Sequence, residues 1–251
     1  MNILIVFAHP EPRSLNGTLK NAAVSFLEAT GHQVIVSDLY QQKWKSQADG
    51  GDFLQYTPDQ RLIVAQAAKE AYHQQLQSPD ITAEQEKVMW ADLVIYQFPL
   101  WWFTMPAILK GWFDRVYTNG FGYGTGQRYG GGKLAGKKGM LLITTGGDFN
   151  TFTDSGIHGN INDLLFPIHH GIMWYTGMAA LPPFLVHSAN HISEADVDKS
   201  ITALKERLST LETTDTIPYY SVPNGDYDEH SLLKAHLHLP TSTLNTHTRL
   251  H

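Results

Sequence analysis

The chain has 251 residues, 42% of them hydrophobic and 17% charged, with a net charge of −6 and no cysteine. That balance suits a sizeable buried core, one α/β domain with additions, and excludes global disorder. The acidic surplus argues against nucleic-acid binding and against docking on anionic membranes, and without cysteine there are no disulfides, thiol nucleophiles, iron–sulfur clusters or cysteine-ligated zinc.

Residues 3–8 (Ile-Leu-Ile-Val-Phe-Ala) form an unbroken apolar run, as expected of a parallel strand buried on both faces. The run is too short for the core of a signal peptide, and no basic segment precedes it. No stretch approaches the roughly 18 apolar residues of a membrane span. The pattern predicts a cytoplasmic protein with no membrane insertion. A polar loop from His9 to Gly17 follows the run, then a helix to about Thr30, stopped by Gly31. Residues 33–38 read as a second strand, which completes a βαβ unit.

Residues 41–58 read as a long polar loop, and 60–75 are Ala-rich and helical in composition. Thr82 with Gln85 has capping-box spacing and is expected to open a further helix to Ala91. Residues 93–98 form a third strand ended by Pro99, and Pro106 opens a helix over 107–116. The Gly-rich stretch 120–132 is a loop, 140–144 a fourth strand and 181–188 a fifth. Ser193 caps a last amphipathic helix to about Leu211. The region beyond Thr213, with Pro218, Pro223, Gly225 and Pro240, shows no periodicity and is expected to wrap over a surface. Strands alternating with helices predict an α/β fold, a doubly wound parallel five-stranded sheet with helices on both faces. The domain is expected to span 1–212, with 213–251 as an extension packed on the domain or on a partner.

In such a sheet, ligands bind beyond the carboxyl ends of the strands, where the strand order reverses. Three unusual loops leave those ends. The first carries His9, Ser14, Leu15, Asn16 and Gly17 at a helix N-terminus, an arrangement fit for a phosphate; an ordinary capped helix start explains it as well. The second, Pro99, Leu100, Trp101, Trp102 and Phe103, could stack a planar heterocycle or simply staple loop to core. The third, Thr144, Thr145, Gly146 and Gly147, admits close approach of backbone to a ligand, though alone it could be a tight turn. Three such loops in sequence are harder to ascribe to chance.

Other signals are weak. Gly122, Gly124 and Gly126 do not fit the dinucleotide fingerprint, because Gln127 holds the place of its third glycine. The pairs His169/His170 and His236/His238 lack zinc spacing with supporting ligands, so no metal is expected. There is no P-loop, no Gly-x-Ser-x-Gly elbow and no His-Glu-x-x-His.

Several stretches carry a family pattern. They are Ala91-Asp92-Leu93-Val94-Ile95-Tyr96-Gln97-Phe98-Pro99-Leu100, the following Pro106-Ala107-Ile108-Leu109-Lys110-Gly111-Trp112-Phe113-Asp114-Arg115-Val116, Thr144 to Gly147, and Gly156-Ile157-His158-Gly159. Ser78-Pro79-Asp80-Ile81 with Glu84-Gln85 adds to them. On these residues the chain, from Ile3 to about Leu211, resembles the NAD(P)H:quinone oxidoreductases, the DT-diaphorase family, of flavodoxin-like fold. The resemblance implies FAD rather than FMN, held by His9, Ser14 to Gly17, Pro99 to Trp102 and Thr144 to Gly147. It implies a homodimer in which Gln55 reaches the flavin of the partner subunit. It places Trp102, Phe103, Phe121, Gly122 and Tyr123 around the substrate and makes His158 the stabiliser of reduced flavin. NAD(P)H and a quinone would take turns in one cleft, giving ping-pong kinetics.

The chain also departs from the family. Phe152 stands where the family has the tyrosine that shares the task of His158, so Phe152 too belongs to the expected flavin site. Thr125 replaces the second tyrosine of the substrate loop, and Val197 a basic residue near the adenine end. An azo- or nitro-compound reductase of the same fold, an ancillary subunit of a potassium efflux system and a one-electron flavin carrier remain as alternatives.

Overall fold

In the computed structural model, residues 1–237 together with 247 and 248 are described. The apolar run near the N-terminus is β1 (Asn2–Phe7), followed by helix α1 (Leu15–Ala29) and β2 (Gln33–Asp38). After the long loop come α2 (Val64–Gln74), α3 (Pro79–Trp90), β3 (Leu93–Pro99) and α4 (Ala107–Val116). Then follow β4 (Lys138–Thr144), α5 (Ile161–Ile168), the short strands β5 (Ala179–Ala180) and β6 (Phe184–Val186), and α6 (Glu194–Ser209). Among the described residues no helix is long and apolar enough to cross a membrane.

All strands pair in parallel in the order β2-β1-β3-β4-β5, with β6 also on β4. This is the 2-1-3-4-5 order of doubly wound flavodoxin-like sheets, whose switch point lies between β1 and β3. The fifth position is one interrupted strand. β5 pairs the start of β4 and β6 its end, and Pro182 and Pro183 between them have no N–H to give the ladder. Of the expected strand over 181–188, only 184–186 pairs in the sheet, as β6, while β5 lies before it at 179–180.

β3 is buried along its whole length, and residues 3–8 are fully buried, which accounts for their unbroken apolar sequence. Alternate side chains feed two cores. Leu4, Val6, Tyr96 and Phe98 pack with α3 and α4 residues such as Ile81 and Trp112 on one face. Ile3, Ile5 and Ile95 pack with Leu19, Leu27 and Leu204 of α1 and α6 on the other.

Three helix boundaries differ from expectation. α2 starts at Val64 rather than at residue 60. α3 starts a turn before Thr82, with Pro79 at its first position, where a missing N–H costs nothing; Thr82 and Gln85 lie inside it. α6 ends at Ser209, two residues before Leu211. α5 and its π-helical continuation, His169–Trp174, have no counterpart among the elements expected from the sequence. Pro167 lies inside α5, and the wider π-type turns follow it directly.

The described part of 213–251 runs along the domain. Ile217 N–H donates to Ala180, Val222 N–H to Tyr129 and the Trp174 indole to Tyr220. His238 and Pro240 lie outside the described residues.

Candidate active site

The loops after β1, β3 and β4 converge on one cavity of about 450 Å³. Its walls are His9, Ser14, Leu15 and Asn16 from the first loop, Pro99 to Trp102 from the second, and Thr144 to Gly146 from the third. Ala189 and Asn190 complete it.

Hydrogen bonds stitch the loops together from below. Gln97, fully buried in β3, donates through Nε2 to Asn16 O at 2.6 Å, while its backbone carbonyl accepts from Ala8 N–H. Asn16 Nδ2 donates to Thr144 Oγ1 at 2.8 Å, and Leu100 N–H to Thr144 O at 2.8 Å. Asn16 Oδ1 is buried with no protein partner and belongs to a side chain that lines the cavity, so a ligand N–H or O–H would satisfy it.

The helix start is built for close approach. Ser14 caps α1 by accepting from Gly17 N–H, and its own hydroxyl donates to Glu11 O at 2.7 Å. His9 Nδ1 lies within hydrogen-bond distance of Glu11 N–H at 3.1 Å and of Ser14 Oγ at 2.9 Å, which ties the imidazole to the loop. Gly17 does not line the cavity. A Cβ on it would lie 1.9 Å from Pro12 O, so glycine there is what lets loop and helix meet.

The aromatic loop is a tight hairpin. Trp101 and Thr104 exchange backbone hydrogen bonds, both at 3.0 Å, and the two residues between them, Trp102 and Phe103, have φ of 51° and 59°. Two positive φ values in a two-residue connection are the mark of a type I′ turn, normally built from Asn and Gly. Bulky aromatics there are strained by about 1–3 kcal/mol each, a cost tolerated mainly at functional sites. Trp102 is 93% exposed, a large ring held clear of the surface.

Beyond Gly146 stands a row of rings. Phe103 lies 5.1 Å from His158, His158 4.9 Å from Phe152, and Phe152 5.7 Å from His187. Gly147 packs against this row, since a Cβ on it would lie 2.9 Å from Phe152 and 3.5 Å from His158. His158 is tied back by its N–H to Thr151 O, and Gly156 makes that fold possible because its α-carbon faces the backbone of Asn150 and Thr151.

Four expected site residues lie elsewhere in this single chain. Gln55 donates to Ala67 O beside α2, and its Oε1 is buried without a partner. Phe121 is buried between Tyr72 and Tyr117, Gly122 abuts the Tyr117 backbone, and Tyr123 faces Tyr175. Conversely, Ala189, Asn190 and His187 are not foreseen from the sequence. No local motif marks them; Ala189 and Asn190 reach the cavity because Ser188 takes a left-handed φ of 54° and turns the chain back over Gly147, and His187 stands behind the cavity wall against Thr145. Among the described residues no cluster of side chains could hold a metal ion.

Residues 1–211 match the flavodoxin-like fold family. A ribosyldihydronicotinamide dehydrogenase-like protein of Penicillium crustosum is 47% identical over 98% of this chain and 90% of its own length. The NAD(P)H dehydrogenase [quinone] 1 of Cavia porcellus is 42% identical over 90% of this chain and 82% of its own. A crystal structure of a Klebsiella pneumoniae protein named as a quinone reductase superposes with a TM-score of 0.95 at 43% identity, covering 99% of this chain and all of that one. With this fold, strand order and similarity along nearly its whole length, the chain belongs to the NAD(P)H:quinone oxidoreductase family of flavodoxin-like proteins.

Proposed function

We propose that this protein is an FAD-dependent NAD(P)H dehydrogenase that reduces quinones, working as a homodimer in the cytoplasm. The observation that carries this reading is the convergence of three loops, from β1, β3 and β4, on one cavity whose wall includes Trp102 of the strained Trp102–Phe103 turn. The groups fit a flavin. Ser14, Leu15 and Asn16 at the start of α1 suit its phosphates, where amide N–H groups and the helix dipole favour negative charge. Asn16 Oδ1 lacks a partner that a ligand donor would supply, and Thr144, Thr145 and Gly146 form a wall of the cavity against which a ring edge could lie. The chemistry a bound flavin supplies is hydride acceptance from a nicotinamide and two-electron reduction of a quinone.

The protein's own residues bind, orient and screen. Trp102 and Phe103 offer aromatic faces on which nicotinamide and quinone can stack in turn. His158, whose ring faces Gly147 through Cδ2, would offer a ring N–H to a flavin held there and so stabilise negative charge on its ring. Gln55, Phe121, Gly122 and Tyr123 act on the site of the partner subunit. One shared cleft makes the kinetics ping-pong.

The test is to heat-release the ligand from purified protein, identify it, and follow NAD(P)H oxidation with a quinone as acceptor. FAD near one per chain with parallel double-reciprocal lines is expected. A colourless protein that takes up no added flavin overturns the reading.

A further inference from the structure

His187 follows β6 directly and sits opposite Thr145, next in register after the Val186–Thr144 pair. The turn it faces, residues 144–147, borders the cavity, so any role of His187 toward a cofactor rests on the proposed flavin site. Thr145 is 2% exposed, and its Oγ1 has two close neighbours: Gly147 O at 3.0 Å and His187 Nδ1 at 3.1 Å. A hydroxyl has one proton. If that proton went to His187, the lone pairs of Thr145 Oγ1 and Gly147 O would face each other at 3.0 Å with nothing between them. The arrangement is satisfied only when the hydroxyl donates to Gly147 O and the imidazole donates to the hydroxyl. This fixes His187 as an Nδ1–H tautomer.

We propose that His187 is a positioning residue for the cofactor-facing turn, its Nδ1–H holding Thr145 in the rotamer that braces Gly147. The brace is part of a wider clamp. Past His187, Ser188 turns with φ of 54°, so that its N–H also donates to Gly147 O, at 3.0 Å, while Ala189 N–H donates to Thr145 O at 2.9 Å. The same turn lands Asn190 on Gly146, where a Cβ would lie 2.8 Å from its Nδ2. The His187 ring meets Phe152 on one side and Phe149 edge-on at 5.6 Å on the other. His187 thus touches both the turn that would hold the flavin and the ring that supports His158, without lining the cavity itself. Burial holds the imidazole below its usual value against the opposing charge of Asp148, which keeps the ring neutral near pH 7.

Two substitutions separate the donor from the ring. His187→Asn keeps an N–H near the position of Nδ1 and loses the ring; His187→Phe keeps the ring and loses the donor. Hydrogen exchange at the Ser188 and Ala189 amides of the purified protein is the readout that needs no flavin. Loss of one net hydrogen bond should speed it by about 3- to 10-fold in His187→Phe, and flavin should leave the diluted holoenzyme faster by a similar factor. His187→Asn should restore both rates to near wild type. Thr145→Val removes the same bond from the other side, and the same acceleration is expected there, which serves if His187→Phe does not fold. Unchanged exchange in His187→Phe or in Thr145→Val, or a normal His187→Phe beside an impaired His187→Asn, overturns the donor role. A wild-type protein that binds no flavin defeats the proposed function instead and leaves the exchange comparison intact.

Discussion

At Phe152 the chain carries a ring without a hydroxyl, 4.9 Å from His158. If a tyrosine and a histidine share charge stabilisation elsewhere in the family, His158 carries more of it here. His158→Ala should then slow flavin reduction by roughly 10- to 1000-fold while flavin stays bound, the range for losing one charge-stabilising donor. Stopped-flow bleaching of the flavin by NAD(P)H measures this, and an unchanged rate in the folded, loaded variant rules the role out. In the Phe152→Tyr background the same loss should be smaller. Gly17 makes a different kind of demand. Alanine in a helix is favoured over glycine by about 1 kcal/mol, yet here its methyl would meet Pro12 O at 1.9 Å. Overpacking of this kind costs about 1–3 kcal/mol, so the clash wins, and Gly17→Ala should lower the melting temperature and weaken flavin retention together. A melting temperature that rises would mean the loop yields freely.

Strands and loops differ in how far local sequence reveals them. β1, β3 and β4 are legible because strands buried on both faces need unbroken apolar runs, and the loops after them are legible by position alone. α5 is hidden by Pro167 and β5 by its two-residue length, while β6 is read only as part of a longer strand, because their bounds depend on packing against β4 and on the π-helical turns rather than on local pattern. Those turns hold a consequence of their own. His169 and His170 are both buried with Nε2 lacking a partner, and burial pushes each from the usual 6.5 down to about 4, with His247 adding to the shift of His170. His170 lies between the rings of Phe166 at 4.7 Å and Tyr129 at 5.0 Å, with Tyr219 of the C-terminal region edge-on at 5.0 Å. Both residues are neutral when folded and take up protons at higher pH when unfolded. Stability is therefore complete above pH 6.5 and falls as pH drops from 6.5 towards 4, by at most about 1.4 kcal/mol per histidine per unit. Urea midpoints at pH 7, 6 and 5 should fall accordingly, and His170→Phe, an aromatic exchange within an aromatic cluster, should flatten the slope. An equal slope in that variant would remove His170 from the account.

In the whole molecule, the residues expected around one flavin fall into two groups that a single chain does not join. His9, Asn16, Trp102 and Thr145 line the cavity, and His158 adjoins it, while Gln55 and Tyr123 lie apart from it beside α2 and Tyr175. No reading of local sequence could show this division, because it depends on where α2 and residues 120–132 pack. The aromatic loop also exposes large apolar groups, Trp102 at 93% with Trp101 and Phe103 at 44% each, and contiguous apolar exposure of this kind marks interaction surfaces. A two-fold dimer resolves both facts if the Tyr123 face of one subunit covers the cavity of the other. The mass in solution should then be twice 28.1 kDa by light scattering. Complementation gives the sharper test. A His158→Ala chain and a Tyr123→Ala chain are each expected to be poorly active as homodimers. Co-expressed, they form mixed dimers in which one site combines both lesions and the other combines the intact His158 of one chain with the intact Tyr123 of its partner. With random pairing half the dimers are mixed and each regains one of two sites, so roughly a quarter of wild-type activity should return if two-fold symmetry shares the site. If each chain instead built its site alone, every site would carry a lesion and no activity beyond the two parental levels would appear.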